Sequence, residues 1–171
     1  MKRARMFVFI AAAISLLGVA SIAVAGAAFD GAKPATARFH DVDKAIAAGY
    51  SFRLPELSGK TCITQPGEGA MGVHMVNLAL AGDPAVDVDK PEALVYEPRN
   101  DGTLKLVALE YVVFQGPGIA RPSLFGRQFD VVPAPNRFGL PAFYALHAWI
   151  WKPNPSGILN PWNPNVECDG S

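Results

Sequence analysis

The sequence predicts an α+β domain in which one N-terminal amphipathic helix covers an antiparallel sheet, strongly curved or closed into a small β-barrel. Three observations carry that expectation. Apolar residues recur at helical spacing over residues 34–49 and at alternating spacing beyond Tyr50. The alternating segments are short and separated by turn-forming residues, as hairpin-linked strands are. Gly and Pro number 16 and 15 in a chain that is 50% hydrophobic, which means many turns around a core rather than disorder. A two-sheet β-sandwich is the alternative arrangement of the same strands.

The chain begins Met1-Lys2-Arg3-Ala4-Arg5 and then runs uncharged from Met6 to Phe29. A basic start, an apolar stretch and the small residues Ala23-Val24-Ala25 are the three parts of a secretory signal peptide. Residues 1–25 are therefore read as that signal, and residues 26–171 as a single exported domain, secreted or periplasmic. The uncharged run is also long enough to serve as a membrane anchor. The Ala-x-Ala site favours cleavage, after which no stable membrane insertion is expected.

Phe39, Val42 and Ile46 mark the apolar face of the helix, with Pro34 suited to its first turn and Gly49 to its stop. His40, Asp43 and Lys44 fall on the other face and read as solvated surface. Residues 60–65 read as a strand, the Gly-rich bend 66–72 leads to a second over 73–77, and 80–91 form a loop. Strands over 93–96 and Leu104–Phe114 are joined through 98–102, where Asp101-Gly102 signals a hairpin. Residues 116–122 turn the chain, 125–132 hold one irregular strand, and 143–151 form the last strand.

Lys2, Arg3 and Arg5 lie in the signal, whereas all the acidic residues follow it. The exported portion therefore carries twelve basic against fifteen acidic residues, a net −3 with histidines neutral. It holds no Lys/Arg cluster, which argues against nucleic acid or an anionic membrane as a partner. Cys62 and Cys168 are the only cysteines, and in an exported chain two cysteines read as a disulfide. Their spacing does not suit a metal-ligand pair.

Strand parity locates a candidate site. Along Leu104–Phe114, Glu110 shares a face with Leu104, Leu106, Ala108, Val112 and Phe114, a lone carboxylate on an apolar face. An unpaired buried carboxylate costs several kcal/mol, so it needs a partner. Arg121, Arg127 or Arg137 would serve as an ordinary ion pair. His147 shares its face with Phe143, Ala145, Trp149 and Trp151, and His74 stands in a short strand with Val76. Each of the three polar residues interrupts an apolar stretch on a different strand.

Two imidazoles and a carboxylate converging inside a sheet make a divalent-metal site, zinc or copper by donor type, because neutral nitrogens donate and an anion offsets charge. Ligands to one ion must approach within about 4–5 Å of one another. The same trio also suits metal-free acid–base work, with Glu110 fixing a histidine tautomer. As a further alternative, Phe143, Trp149 and Trp151 form an aromatic wall for an apolar small-molecule ligand, with Glu110 and His147 holding its polar end. A purely structural or self-associating role is the third reading. Whether the chain is an enzyme, and its oligomeric state, are left open by these residues.

Other motifs carry less. The glycine-rich residues 67–72 lack the Lys-Ser/Thr ending of a phosphate loop and precede a strand. Asp83, Asp87 and Asp89 lack the Gly and distal Glu of a calcium loop. No G-x-S-x-G elbow is present.

The segments GAMGVHMVN at 69–77, KPEALVYEPRNDGTLKLVALEYVV at 90–113 and LPAFYALHAWIWKPNPSGILNPWNPNVEC at 140–168 follow a helix-like ARFHDVDKAIAAGY at 37–50. Together they resemble a family of exported bacterial proteins of unknown function. The resemblance spans nearly all of the exported portion. It places His74, Glu110, His147 and Cys168 within family-like motifs and matches Cys62 to a cysteine ahead of the glycine-rich segment. It implies a family without implying an activity.

Overall fold

The N-terminal periodicity folds as three short pieces rather than one helix. In the computed structural model, which describes residues 29–169, they are α1 (Ala32–Thr36), a 3₁₀ turn (Ala37–His40) and α2 (Val42–Ala47). The break falls at Asp41, whose backbone is extended and whose side chain accepts from the Asp43 and Lys44 N–H groups. A residue that caps a new helix so well ends the old one. The tighter 3₁₀ turn also shifts the phase, so Phe39 is buried and Ala45 replaces Ile46, which is 46% exposed. The signal peptide expected over residues 1–25 lies outside the described residues.

The strands are β1 (Tyr50–Arg53), β2 (Cys62–Gln65), β3 (Gly69–Asn77), β4 (Ala93–Pro98), β5 (Leu104–Phe114), β6 (Ser123–Leu124), β7 (Arg127–Gln128), β8 (Asp130–Val132) and β9 (Phe143–Ala148). A four-residue helix, α3 (Leu78–Ala81), follows β3 and is capped by the Asn77 side chain. The principal sheet runs β1-β3-β4-β5-β9-β8, with β2 also paired to β3, and every pairing is antiparallel. Val73 pairs with both Cys62 and Tyr96, and Met75 with both Arg53 and Leu94. Strands β1 and β2 therefore lie end to end along the outer edge of β3. The expected strand over 125–132 is divided between β7 and β8, with β6 lying just ahead of it, and β1 is a strand that the turn signals had not marked.

The sheet is mostly antiparallel as expected, but it is not closed into a barrel. Strand β8 is three residues long and forms one edge, and the chain on either side is punctuated by Pro117, Pro122, Pro133, Pro135 and Pro141. Proline cannot donate to a ladder, so no long strand is left to close the gap. The separate β6–β7 ribbon pairs only Ser123 with Gln128 and Leu124 with Arg127 and is no second layer of a sandwich.

The main core lies on one face, where Phe29 ahead of α1, Phe39 of the 3₁₀ turn and Ala45 of α2 join Leu94, Tyr96, Leu109, Tyr111 and Leu146. The Tyr96 hydroxyl donates to the Phe39 carbonyl at 2.7 Å, and the Tyr50 hydroxyl to that of Pro91 at 2.9 Å. A bulge between β4 and β5 pairs Val95 with Ala108 but Tyr96 with Leu106, so Val107 is the extra residue. Strict alternation fails there. Leu104 and Leu106 join the main core, whereas Val107 and Ala108 both join a second cluster with Val95, Trp149 and Val166.

The C-terminal tail covers that second cluster. Cys168 is bridged to Cys62 with a Cα–Cα distance of 5.7 Å across 106 residues of sequence. Closing such a loop is worth roughly 4–5 kcal/mol in the chain-entropy account. A disulfide of this kind is consistent with export. No helix among the described residues is long and apolar enough to cross a membrane.

Candidate metal centre

Strand pairing brings the three polar residues together. Glu110 on β5 stands directly across from His147 on β9 and from Ala93 on β4, and Ala93 in turn from Val76 on β3. His74 is two residues along β3 from Val76 and therefore on the same face. The β4 residues between His74 and Glu110 are Ala93 and Val95, and alanine at 93 leaves open the space that a larger side chain would fill. Two imidazoles from β3 and β9 thus meet the carboxylate of β5.

The contacts are close. The two Nε2 atoms of His74 and His147 are 3.2 Å apart, His74 Nε2 is 3.3 Å from Glu110 Oε2, and His147 Nδ1 is 3.6 Å from Glu110 Oε1. One ligand atom from each residue lies within 4.8 Å of the others. All three are buried, His74 at 1%, His147 at 2% and Glu110 at 8% exposure. Among the described residues, this is the one group of three or more His, Cys, Asp or Glu so arranged.

Burial dominates the electrostatics. It lowers His74 to about 4, with the Gly72 backbone acting in the opposite direction, and lowers His147 well below its ordinary value with help from His74. It raises the Glu110 carboxyl to about 8, with Glu92 adding to the rise. The histidine–carboxylate contacts have ion-pair distances, but the direction of all three shifts makes them contacts between neutral groups at pH 7. Two facing Nε2 atoms then need a proton or a cation between them, because two lone pairs repel.

His74 Nδ1 is buried without a hydrogen-bond partner, and the Gly72 backbone acts to favour the protonated ring. A proton on Nδ1 leaves the Nε2 lone pair aimed at Glu110 and His147. That is the tautomer in which Nε2 is free to ligate a metal.

The cluster borders an apolar cavity of about 100 Å³, lined by His74, Glu110 and apolar side chains that include Val76, Val112, Phe114 and Phe143. Sequence patterning missed the rest of its wall. Phe52 comes from β1, and Phe138 and Leu140 come from an irregular loop that carries no periodicity. Asn136 shapes this loop by accepting from the Phe138 and Leu140 N–H groups, and Arg137 ties it to the Thr64 carbonyl at 2.8 Å and to Glu56 at 2.6 Å. Only the turn-forming Pro-Asn run hinted at such a role.

Of the three aromatic residues expected to form one wall, Phe143 lines the cavity. Trp149 is buried in the second cluster, donates to the Asn160 carbonyl at 2.6 Å, and lies nearly parallel to the His147 ring at 6.2 Å. Trp151 packs against the main core and meets His40 edge-on at 4.5 Å. They separate because β9 ends at Ala148, where Ile150 N–H returns to the Ala148 carbonyl and Trp151 N–H reaches Val107. Strand parity does not extend past that bend.

Glu92 was overlooked in the sequence. It is 2% exposed, and burial pushes its carboxyl up to about 7. Its Oε2 accepts the Val112 N–H at 2.8 Å, which fixes β5 two residues beyond Glu110. Pro91 ahead of it and the apolar strand after it were the available signal.

The arginines considered as partners for Glu110 are engaged elsewhere. Arg121 donates to the Phe129 carbonyl, Arg127 pairs with Asp130, and Arg137 pairs with Glu56. No protein-family model, curated protein or solved structure matches the chain.

Proposed function

We propose that the protein is an exported metal-binding domain in which His74, Glu110 and His147 hold one divalent ion, zinc or copper, beside a pocket for a small molecule. The observation that carries this reading is the meeting of three buried donor atoms, from three strands, within 4.8 Å. Two donors bound at about 2.0–2.1 Å in tetrahedral geometry stand roughly 3.3 Å apart. The Nε2–Nε2 and Nε2–Oε2 separations of 3.2 and 3.3 Å match that spacing. Rigid mid-strand placement suits a ligand set, and neutral imidazoles are ready to donate. Three protein ligands leave a fourth position open, as in catalytic rather than structural zinc sites. Both ligand binding and hydrolysis of a bound carbonyl compound are within reach of such a centre.

Metal analysis of the purified protein, with thermal melting before and after chelation, tests the assignment. One ion per chain is expected. At a hundredfold excess of metal over Kd, the ion contributes about 2.7 kcal/mol. His147→Ala should lose both the ion and the stabilisation. Absence of retained metal, with identical melting in chelator, would reject the centre.

A metal-free reading has one observation in its favour. With its carboxyl raised to about 8, Glu110 is a proton donor at neutral pH and faces the apolar cavity together with His74. In that case the protein binds a small apolar molecule whose polar end accepts from Glu110. Ligand uptake that persists in chelator distinguishes it.

A further inference from the structure

We infer that the open face of the centre takes a small monocarboxylate with an apolar tail, its carboxylate on the ion and its chain along the cavity. This deepens the metal reading and rests on it. A divalent ion held by two neutral imidazoles and one carboxylate leaves one net positive charge, and burying an unbalanced charge is costly. A monoanion as the remaining ligand brings the centre to neutrality.

Among the described residues, His74 and Glu110 are the only polar side chains of the lining, and both face the ion. Nothing else there can pair with a second polar group, so a ligand bearing further hydroxyls or amides would leave them unsatisfied. The ligand therefore has one polar end and an apolar remainder. His147 lies behind the cluster against Trp149 and does not line the cavity, so the cavity is on the open side.

The cavity of about 100 Å³ is smaller than the roughly 150 Å³ of an apolar cavity that takes up benzene, so it has room for a short alkyl chain and not for a large ligand. The mouth continues the apolar path outward, because Phe52 and Leu78 are lining residues that are 40% and 61% exposed. Exposed apolar side chains at the rim of an apolar pocket are where the rest of a chain would lie.

The test uses cobalt(II)-loaded protein titrated with acetate, butyrate, hexanoate and octanoate, followed by the visible spectrum of the ion and by calorimetry. Affinity should climb about two- to fourfold per methylene up to hexanoate and more slowly to octanoate as the chain emerges at the rim. Hexanol, with the chain but no carboxylate, should leave the spectrum unchanged. Val112→Phe fills the cavity and should flatten the chain-length series. Val76→Phe serves if that variant does not fold. Metal retention with affinities that ignore chain length would overturn the inference and leave the centre standing. Hexanoate binding of equal strength in metal-free protein would also overturn it. Failure to retain cobalt at all would remove the metal reading and this inference together.

Discussion

Glu110 controls the chemistry of the cluster because burial keeps its carboxyl protonated up to about pH 8 while keeping both imidazoles neutral. Unfolding returns the groups to ordinary values, 4.5 for glutamate and 6.5 for histidine. Above the first value the unfolded chain has lost a proton that folded Glu110 keeps. Its contribution to stability is therefore full at acid pH and is lost as pH rises toward 8. Glu92, raised to about 7, acts in the same direction. The histidines act oppositely, because below 6.5 the unfolded chain binds protons that the fold refuses, so stability is lost as pH falls toward 4. Metal-free protein should accordingly melt highest across about pH 5–6.5 and lose on the order of 1 kcal/mol per pH unit and group on the alkaline side. Glu110→Gln should raise the melting temperature at pH 8 in metal-free protein yet abolish the gain from added metal. Wild-type metal affinity should rise with pH up to about 8, since the ion must displace the carboxyl proton. A variant whose melting falls across pH 6–8 as steeply as that of the wild type would contradict the assignment of that slope to Glu110. At this scale the site was legible: His74, Glu110 and His147 each break an apolar run within a regular strand. Trp149 and Trp151 were not, because their parity was counted past the end of β9.

At the scale of elements, the features that escaped the sequence are interruptions of regular period. The N-terminal periodicity looked continuous, yet the Asp41 cap offers hydrogen bonds that outweigh continuing one helix. The β4–β5 bulge moves Leu104 and Leu106 to the opposite face while leaving Glu110, Val112 and Phe114 where parity placed them, so the site survives a break in alternation at Val107. A bulge has no residue signature comparable to Asp-Gly in a hairpin, which is why the β4–β5 turn was readable and the bulge was not. Between Ile63 and Thr64 the β2–β3 register also shifts, opposite Gly72, which has φ +108°. A side chain there would meet both an unfavourable backbone region and the Tyr96 carbonyl oxygen, 2.5 Å from its Cβ. Gly72→Ala should therefore cost about 2 kcal/mol or more. Because the Gly72 backbone lies beside the His74 ring, it should also weaken metal binding, measured by competition with a chromophoric chelator. A loss of stability with unchanged metal affinity would show that Gly72 serves the sheet and not the ligand.

For the whole molecule, antiparallel pairing and the Cys62–Cys168 bridge followed from turn spacing and cysteine count, whereas closure of the sheet depended on the irregular residues 115–142. Local pattern describes strands well but does not state whether two distant edges meet. The open sheet leaves the face behind His147 to be covered by the tail, and the tail is held in three ways. Asn163 and Ala70 exchange backbone hydrogen bonds at 3.0 and 3.1 Å, Val166 packs into the cluster with Trp149 and Val95, and Cys168 is bonded to Cys62. Cys62 pairs with Val73, the neighbour of His74, while Trp149 lies against the His147 ring. The bridge thus ends next to one histidine and clamps the tail behind the other. Replacing both cysteines by serine should cost roughly 2–5 kcal/mol by freeing the unfolded chain. If the tail also positions the rings, metal affinity should fall about tenfold, in the range found when groups that orient metal ligands are removed. Calorimetric melting separates the first effect from the second, which is read by metal competition at a temperature where the variant is fully folded. A lowered melting point with parental metal affinity would confine the disulfide to stability, and a parallel loss of both would make the covalent staple part of the metal centre.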